Sequence, residues 1–242
     1  MHRALVPFLL LLSFLLASCG ENGPVSQVDG SMEPQAQVVR AAPGRYAGTL
    51  PCADCSGIAT ELQLWPSGAC LLQSTYVGKP VEANRFVEWG RWSHDAPGRV
   101  VVELGAGDRT LYFAPQPGGS LIKYDLAGTT LLDPATNSLQ PADGTFAPGG
   151  VLPLRGTFYY PKPRVAHFRE CHSGRDLLVR LDPEAAGIEG DFRDQGADPG
   201  QGMVAEVKGT LQVTPLEDTD GAVLLLTIKE VDALVPGERC AW

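Results

Sequence analysis

Gly44-Arg45-Tyr46-Ala47-Gly48-Thr49-Leu50-Pro51-Cys52-Ala53-Asp54-Cys55-Ser56-Gly57-Ile58 leads out of one strand-forming segment and into the next, with two thiols three positions apart in the connection. Strand patterns flank the motif on both sides, over Gly44 to Leu50 and Ile58 to Leu64, and Gly57 interrupts any helix between them. A turn at Ala53-Asp54 brings both sulfurs to one side. There they can close a disulfide, hold a soft metal ion, or do each in turn.

Downstream the same pattern repeats. Strand candidates follow at Cys70 to Tyr76, Arg85 to Ser93, Arg99 to Leu104, Arg109 to Ala114 and Leu121 to Asp125. Turn signals such as Pro66-Ser67-Gly68 and Ala106-Gly107-Asp108 separate them. Many short, regularly spaced strands predict an antiparallel barrel or sandwich over residues 43–139. The chain has 28 Gly and 20 Pro, which punctuate it too often for long helices. Residues 140–153 hold the densest run of proline and glycine and read as a linker. Five more strands are expected beyond it, at Leu154 to Tyr160, Val165 to Cys171, Asp176 to Leu181, Met203 to Val213 and Ala222 to Val231. Between the third and fourth, Pro183 to Phe192 reads as a short helix with Asp182 as N-cap and Pro183 at its first position. Five strands with a helix after the third is the order of an OB-fold, here over residues 154–242. The fold class expected is therefore all-β, with two barrels and one short helix.

Upstream, Arg3 and the apolar run Leu5 to Leu16 read as an export signal over residues 1–18. Leu16-Ala17-Ser18-Cys19 looks like a bacterial lipobox, which makes Cys19 the acylated first residue of the mature chain. Three acyl chains exceed the two signals that stable anchoring needs. Residues 19–42 carry no sustained apolar period and read as a flexible tether. Gly20 after the cysteine, in place of aspartate, resembles the sorting pattern for the outer membrane. Loss of Arg3 with the leader takes the formal charge from −9 to −10, which repels nucleic acid and anionic lipid heads.

The residues from Gly44 to Ile58, followed by Thr60, Leu62, Leu64, Gly68, Leu71, Tyr76, Gly78, Phe86 and Gly90-Arg91-Trp92, resemble the opening of the NlpE copper-resistance lipoproteins. Leu154-Arg155-Gly156-Thr157-Phe158-Tyr159-Tyr160 and Phe168-Arg169-Glu170-Cys171-His172-Ser173-Gly174 resemble the start of that family's second domain, and Cys240 its closing cysteine. The resemblance implies an amino-terminal lipocalin-like barrel and a carboxy-terminal OB-fold-like domain. It implies roles in copper homeostasis and envelope sensing, with an envelope-stress sensor kinase of the Cpx type as partner. Cys70 departs from the pattern, since family members often carry an aromatic residue there.

Thiolates are soft ligands, so Cys52 and Cys55 are the candidate Cu(I) ligands, with Cys70 a possible third. Cys70 alternates in phase with Leu72 and Tyr76, so its side chain is expected inside the barrel as a free thiol. A bare CxxC lacks the second pair of a full tetrahedral site, and a resting Cys52–Cys55 disulfide pinning the turn is the competing reading. A thiol oxidoreductase is the outsider, because such enzymes place the first thiol at a helix N-terminus. Cys171 and Cys240 lie at the first hairpin and the end of the second domain. A bridge there, which the resemblance also implies, would stabilise by roughly 4 kcal/mol in the chain-entropy model. His94, His167 and His172 read as surface polar residues. No catalytic constellation is present, so the chain reads as a non-enzyme, and the alternative to a sensor is a lipocalin-like carrier of a small apolar ligand.

Overall fold

The first hairpin forms over the expected segments: strand β1 (Gly44–Leu50) pairs antiparallel with β2 (Ile58–Leu64), and Leu50 faces Ile58 across the thiol-bearing turn. The computed structural model describes residues 39–80, 84–196, 198–215 and 222–240. The leader 1–18, the acylation site Cys19 and the tether as far as residue 38 lie outside the described residues.

The meander continues through β3 (Ala69–Tyr76), β4 (Arg85–His94), β5 (Val100–Leu104), β6 (Arg109–Pro115) and β7 (Leu121–Lys123) to β8 (Ser138–Ala142), and β8 pairs with β1 to close the barrel. Period-two burial drives it. In β5, Val100, Val102 and Leu104 point inward with essentially no exposure, while Val101 and Glu103 are wetter. Leu62, Leu64, Cys70, Leu72, Phe113, Leu121 and Leu139 complete the interior. Closure removes the free edges that an open sheet of this size would present.

Strand β8 corrects the reading of 140–153 as linker. Pro141 lies opposite Tyr46 in the closing pair, and a short strand that contains a proline and is followed by turns carries little β signal of its own. The far end of that stretch is strand as well. Between them Phe146 is buried, and its N–H donates to Gln63 Oε1 at 3.1 Å. The tether reading also gives way at its end, where Ala41 packs into the barrel core and the Ala42 carbonyl accepts from the Tyr46 hydroxyl at 2.7 Å.

The second barrel comprises β9 (Leu152–Lys162), β10 (Val165–Glu170), β11 (Asp176–Leu181), β12 (Met203–Pro215) and β13 (Ala222–Val235), in closed order β10-β11-β13-β12-β9 with β11 and β13 parallel. Phe158, Phe168, Leu177, Leu226 and Ile228 fill it. The single helix expected over Pro183–Phe192 is instead two pieces. Asp182 caps a 3₁₀ turn at Pro183–Ala185, and α1 (Ile188–Asp194) starts afresh after Gly187, a residue that disfavours helix interiors. Ile188 and Phe192, four apart, are the buried residues of α1, and Phe192 meets Phe158 edge to face.

The two barrels share a core. Ala69 and Leu71 on β3 point away from the first barrel's interior and join Trp65, Trp89, Phe146 and the second barrel's apolar residues in one cluster. Trp65 stacks on Trp89 at 6.0 Å, and the Arg175 guanidinium, from the β10–β11 turn, lies 4.8 Å over Trp65.

Candidate functional site

The connection from β1 to β2 is short, and the Cys52 and Cys55 sulfurs are bonded across it, with Cα atoms 5.3 Å apart. Both cysteines are partly exposed. The turn docks on the β3 end through two backbone bonds, Ser56 N–H to the Val77 carbonyl at 3.2 Å and Val77 N–H to the Gly57 carbonyl at 2.9 Å. Gly57 is required there: its φ is 151°, and a Cβ would stand 2.6 Å from Thr49 Cγ2. The rim beside the disulfide is apolar, with Phe86 packed edge to face on Tyr76 and exposed together with Val77.

Two charged residues that the sequence reading passed over complete this end of the barrel. Asp54, between the cysteines, places Oδ1 3.5 Å from Cys52 Sγ and accepts from Lys79 Nζ through Oδ2 at 3.0 Å. The hydrogen bond and charge of Lys79 hold the Asp54 carboxyl below its ordinary value. Cys52, Asp54 and Cys55 form a set whose donor atoms lie within 4.8 Å of one another, the one such His, Cys, Asp or Glu set among the described residues. The signal was local, an acid inside the CxxC, but Lys79 reaches it only because β3 folds back on β2.

Cys70 is not part of that set, which corrects its reading as a possible third copper ligand. In the β2–β3 ladder Cys70 faces Leu64, whereas Tyr76 faces Ile58 next to the thiol turn. Six residues of strand separate the two ends, about 20 Å. Burial pushes the Cys70 thiol up to about 12, so it stays neutral and inert.

The other pair lies in the second barrel. Cys171 and Cys240 are bonded, with Cα atoms 5.0 Å apart and a sequence separation of 69. Cys171 is buried, and its N–H donates to the Arg155 carbonyl at 2.9 Å. Glu170 beside it is 1% exposed, yet its carboxylate is satisfied: it accepts from Ser173 N–H at 2.8 Å, from Ser173 Oγ at 2.6 Å and from His172 N–H at 3.1 Å. A buried carboxylate that gathers these donors fixes the turn that presents Cys171. Arg155 pairs with Glu206 and with Glu238, tying the terminal segment down two residues before Cys240. Cys240 borders an open cleft of about 770 Å³ that Thr157, Tyr159, Arg169, Gly202 and Arg239 also line, so solvent reaches the bridge from that side. The Cys171 turn also carries Arg175, half-buried against Trp65, and burial lowers that guanidinium from its usual value.

The histidines stay apart from both pairs as ligands. His167 Nδ1 lies 3.1 Å from Asp176 Oδ2 and His172 Nδ1 3.2 Å from Glu170 Oε1. His94 meets Trp92 edge to face, and burial lowers its value.

Comparison with known proteins gives two family matches: the NlpE N-terminal domain over residues 46–132 and the NlpE C-terminal OB domain over residues 148–241. Lipoprotein NlpE of Escherichia coli (strain K12) is 25% identical over 240 residues, 99% of this chain and 97% of that one. The crystal structure of the Cpx pathway activator NlpE from Escherichia coli aligns at 24% identity over 83% of this chain and 100% of that chain, with a TM-score of 0.34. A crystal structure of a Shewanella oneidensis lipoprotein aligns at 29% identity over 41% of this chain and 87% of that chain, also with a TM-score of 0.34.

Proposed function

Because the chain belongs to the NlpE lipoprotein family, we propose that it is a lipid-anchored envelope protein that signals copper and thiol-redox stress to an envelope-stress sensor kinase, without catalysing a reaction itself. Acylated Cys19 would anchor the body to the outer membrane, facing the periplasm. The description of the E. coli relative as a Cpx pathway activator supports a kinase partner.

One observation carries the reading: the Cys52–Cys55 disulfide sits on a partly exposed turn at the barrel's end, a turn also held by backbone hydrogen bonds to the residue after β3. Reduced, the turn offers two thiolates in chelating position, a donor set that suits Cu(I). Oxidised, the same sulfurs are unavailable. Metal state and redox state therefore exclude each other at this motif. The Cys171–Cys240 bridge adds a second redox-sensitive element, one that is part of its domain's fold.

Two other readings have less support. The carrier needs an apolar hollow, whereas the first barrel's interior is filled by Leu62, Leu64, Leu72, Leu104, Phe113 and Leu121, all essentially unexposed. The oxidoreductase needs a thiol activated at a helix N-terminus, whereas Cys52 and Cys55 lie on a turn between strands.

The test is an anaerobic Cu(I) titration of the reduced full-length chain beside Cys52→Ser/Cys55→Ser. The wild type is expected to take up one Cu(I) that the variant does not. Equal binding by both proteins would remove the copper site from this motif.

A further inference from the structure

Asp54 gives the thiol turn a third donor of a different chemical kind. Its Oδ1 stands 3.5 Å from Cys52 Sγ, and the donors of Cys52, Asp54 and Cys55 all lie within 4.8 Å of one another. Its other oxygen is engaged by Lys79 at 3.0 Å. Lys79 stands in the turn that follows β3, two residues beyond Val77, whose backbone is bonded to the thiol turn, and its own N–H donates to the Tyr76 carbonyl at 3.3 Å. The carboxylate is thereby held with one oxygen toward the sulfurs.

We propose that the reduced Cys52–Asp54–Cys55 set binds a divalent ion of the zinc class, with Asp54 as the ligand that sets selectivity and Lys79 as the residue that positions it. The inference rests on the reading of this motif as metal-binding when reduced. Two arguments favour a borderline divalent ion for the three-donor set. A soft monovalent ion gains from the sulfurs and little from a hard carboxylate, whereas zinc takes thiolate and carboxylate together and completes a tetrahedron with water. Charge points the same way. Two thiolates and one carboxylate carry three negative charges, which a divalent ion and the Lys79 ammonium neutralise together, while a monovalent ion leaves one unmatched.

The chemistry balances as follows. A dithiol reductant gives two electrons and two protons to the Cys52–Cys55 bond and becomes a disulfide, leaving two thiols on the turn. Metal uptake then releases two protons to solvent. In the oxidised protein the sulfurs are bonded to each other and the site is closed.

The experiment uses the full-length chain in detergent, reduced by a water-soluble phosphine that ends as its oxide, without air. Zn²⁺ is titrated against a chromophoric chelator, and Cu(I) against a Cu(I) chelator, for wild type, Asp54→Asn, Lys79→Met and Cys52→Ser/Cys55→Ser. Both single substitutions are at exposed positions, so neither threatens the fold. Asp54→Asn is expected to weaken Zn²⁺ binding by about tenfold or more and Cu(I) binding by less than about threefold. Lys79→Met should weaken Zn²⁺ binding by about tenfold, the lower end of the effect expected of a residue that orients a ligand. The unreduced chain should bind neither ion. Zn²⁺ binding unchanged in Asp54→Asn, or Zn²⁺ and Cu(I) weakened equally, overturns the inference. Cu(I) uptake that survives Cys52→Ser/Cys55→Ser overturns the underlying reading of the motif instead, so the two failures are distinguishable.

Discussion

The two disulfides close loops of very different length in very different surroundings. Cys52–Cys55 spans three positions on a partly exposed turn whose backbone is already hydrogen-bonded to the neighbouring hairpin. Cys171–Cys240 spans 69 positions and joins a buried hairpin turn to the end of the chain. In the chain-entropy model the short loop gains about 2 kcal/mol from closure and the long one about 4 kcal/mol. Opening the first is therefore expected to free two sulfurs at a small cost in stability. Opening the second is an event in the stability of a domain, and that domain's core is continuous with the first barrel through Trp65, Trp89 and Arg175.

The largest expected effect follows directly. Cys171→Ser/Cys240→Ser should lower the unfolding free energy of the second barrel by about 4 kcal/mol in urea titrations, whereas Cys52→Ser/Cys55→Ser should cost about 2 kcal/mol or less. Equal losses would break the contrast. A smaller effect is expected at the junction: Arg175→Ala should cost about 1 kcal/mol and shift tryptophan emission to longer wavelength as Trp65 gains water. Unchanged emission and stability would mean that the Cys171 turn is not energetically joined to the first barrel. The smallest effect belongs to Asp54. Lys79 holds its carboxyl below the ordinary carboxylate range, so the pair stabilises the fold above about pH 4 and that contribution is lost as pH falls through the lowered value. Because both groups are solvated, Asp54→Asn should show only a slight deficit in melting midpoint at neutral pH that closes on acidification. A gap that widened toward low pH would contradict the pairing.

Most strands were legible because burial alternates along them. The segments from Gly44 to Leu50, Ile58 to Leu64 and Asp176 to Leu181 form over those same residues. Strand β8 was hidden because Pro141 and the turns after it suppress local β signal, and its strand character comes from pairing with β1. The run Ala69-Cys70-Leu71-Leu72 did contain a message beyond strand formation. Four consecutive buried residues mean that both faces are covered, one by the barrel interior and one by the second domain. Lys79, Glu170 and Arg175 were invisible as site residues, since each matters only through what the fold brings opposite it.

Local chemistry in the chain was enough to specify strand segments, turns and the spacing of two thiols, because backbone preference and side-chain alternation act over a few residues. It was enough, too, to make each pair of cysteines a candidate. The division of labour among the cysteines came from long-range packing. Folding put Cys70 at the wrong end of β3 to share a metal with Cys52 and Cys55, and set Asp54 and Lys79 beside those sulfurs instead. Which sulfur can meet which donor depends on distances across the sheet, and those are fixed only when the strands close into a barrel.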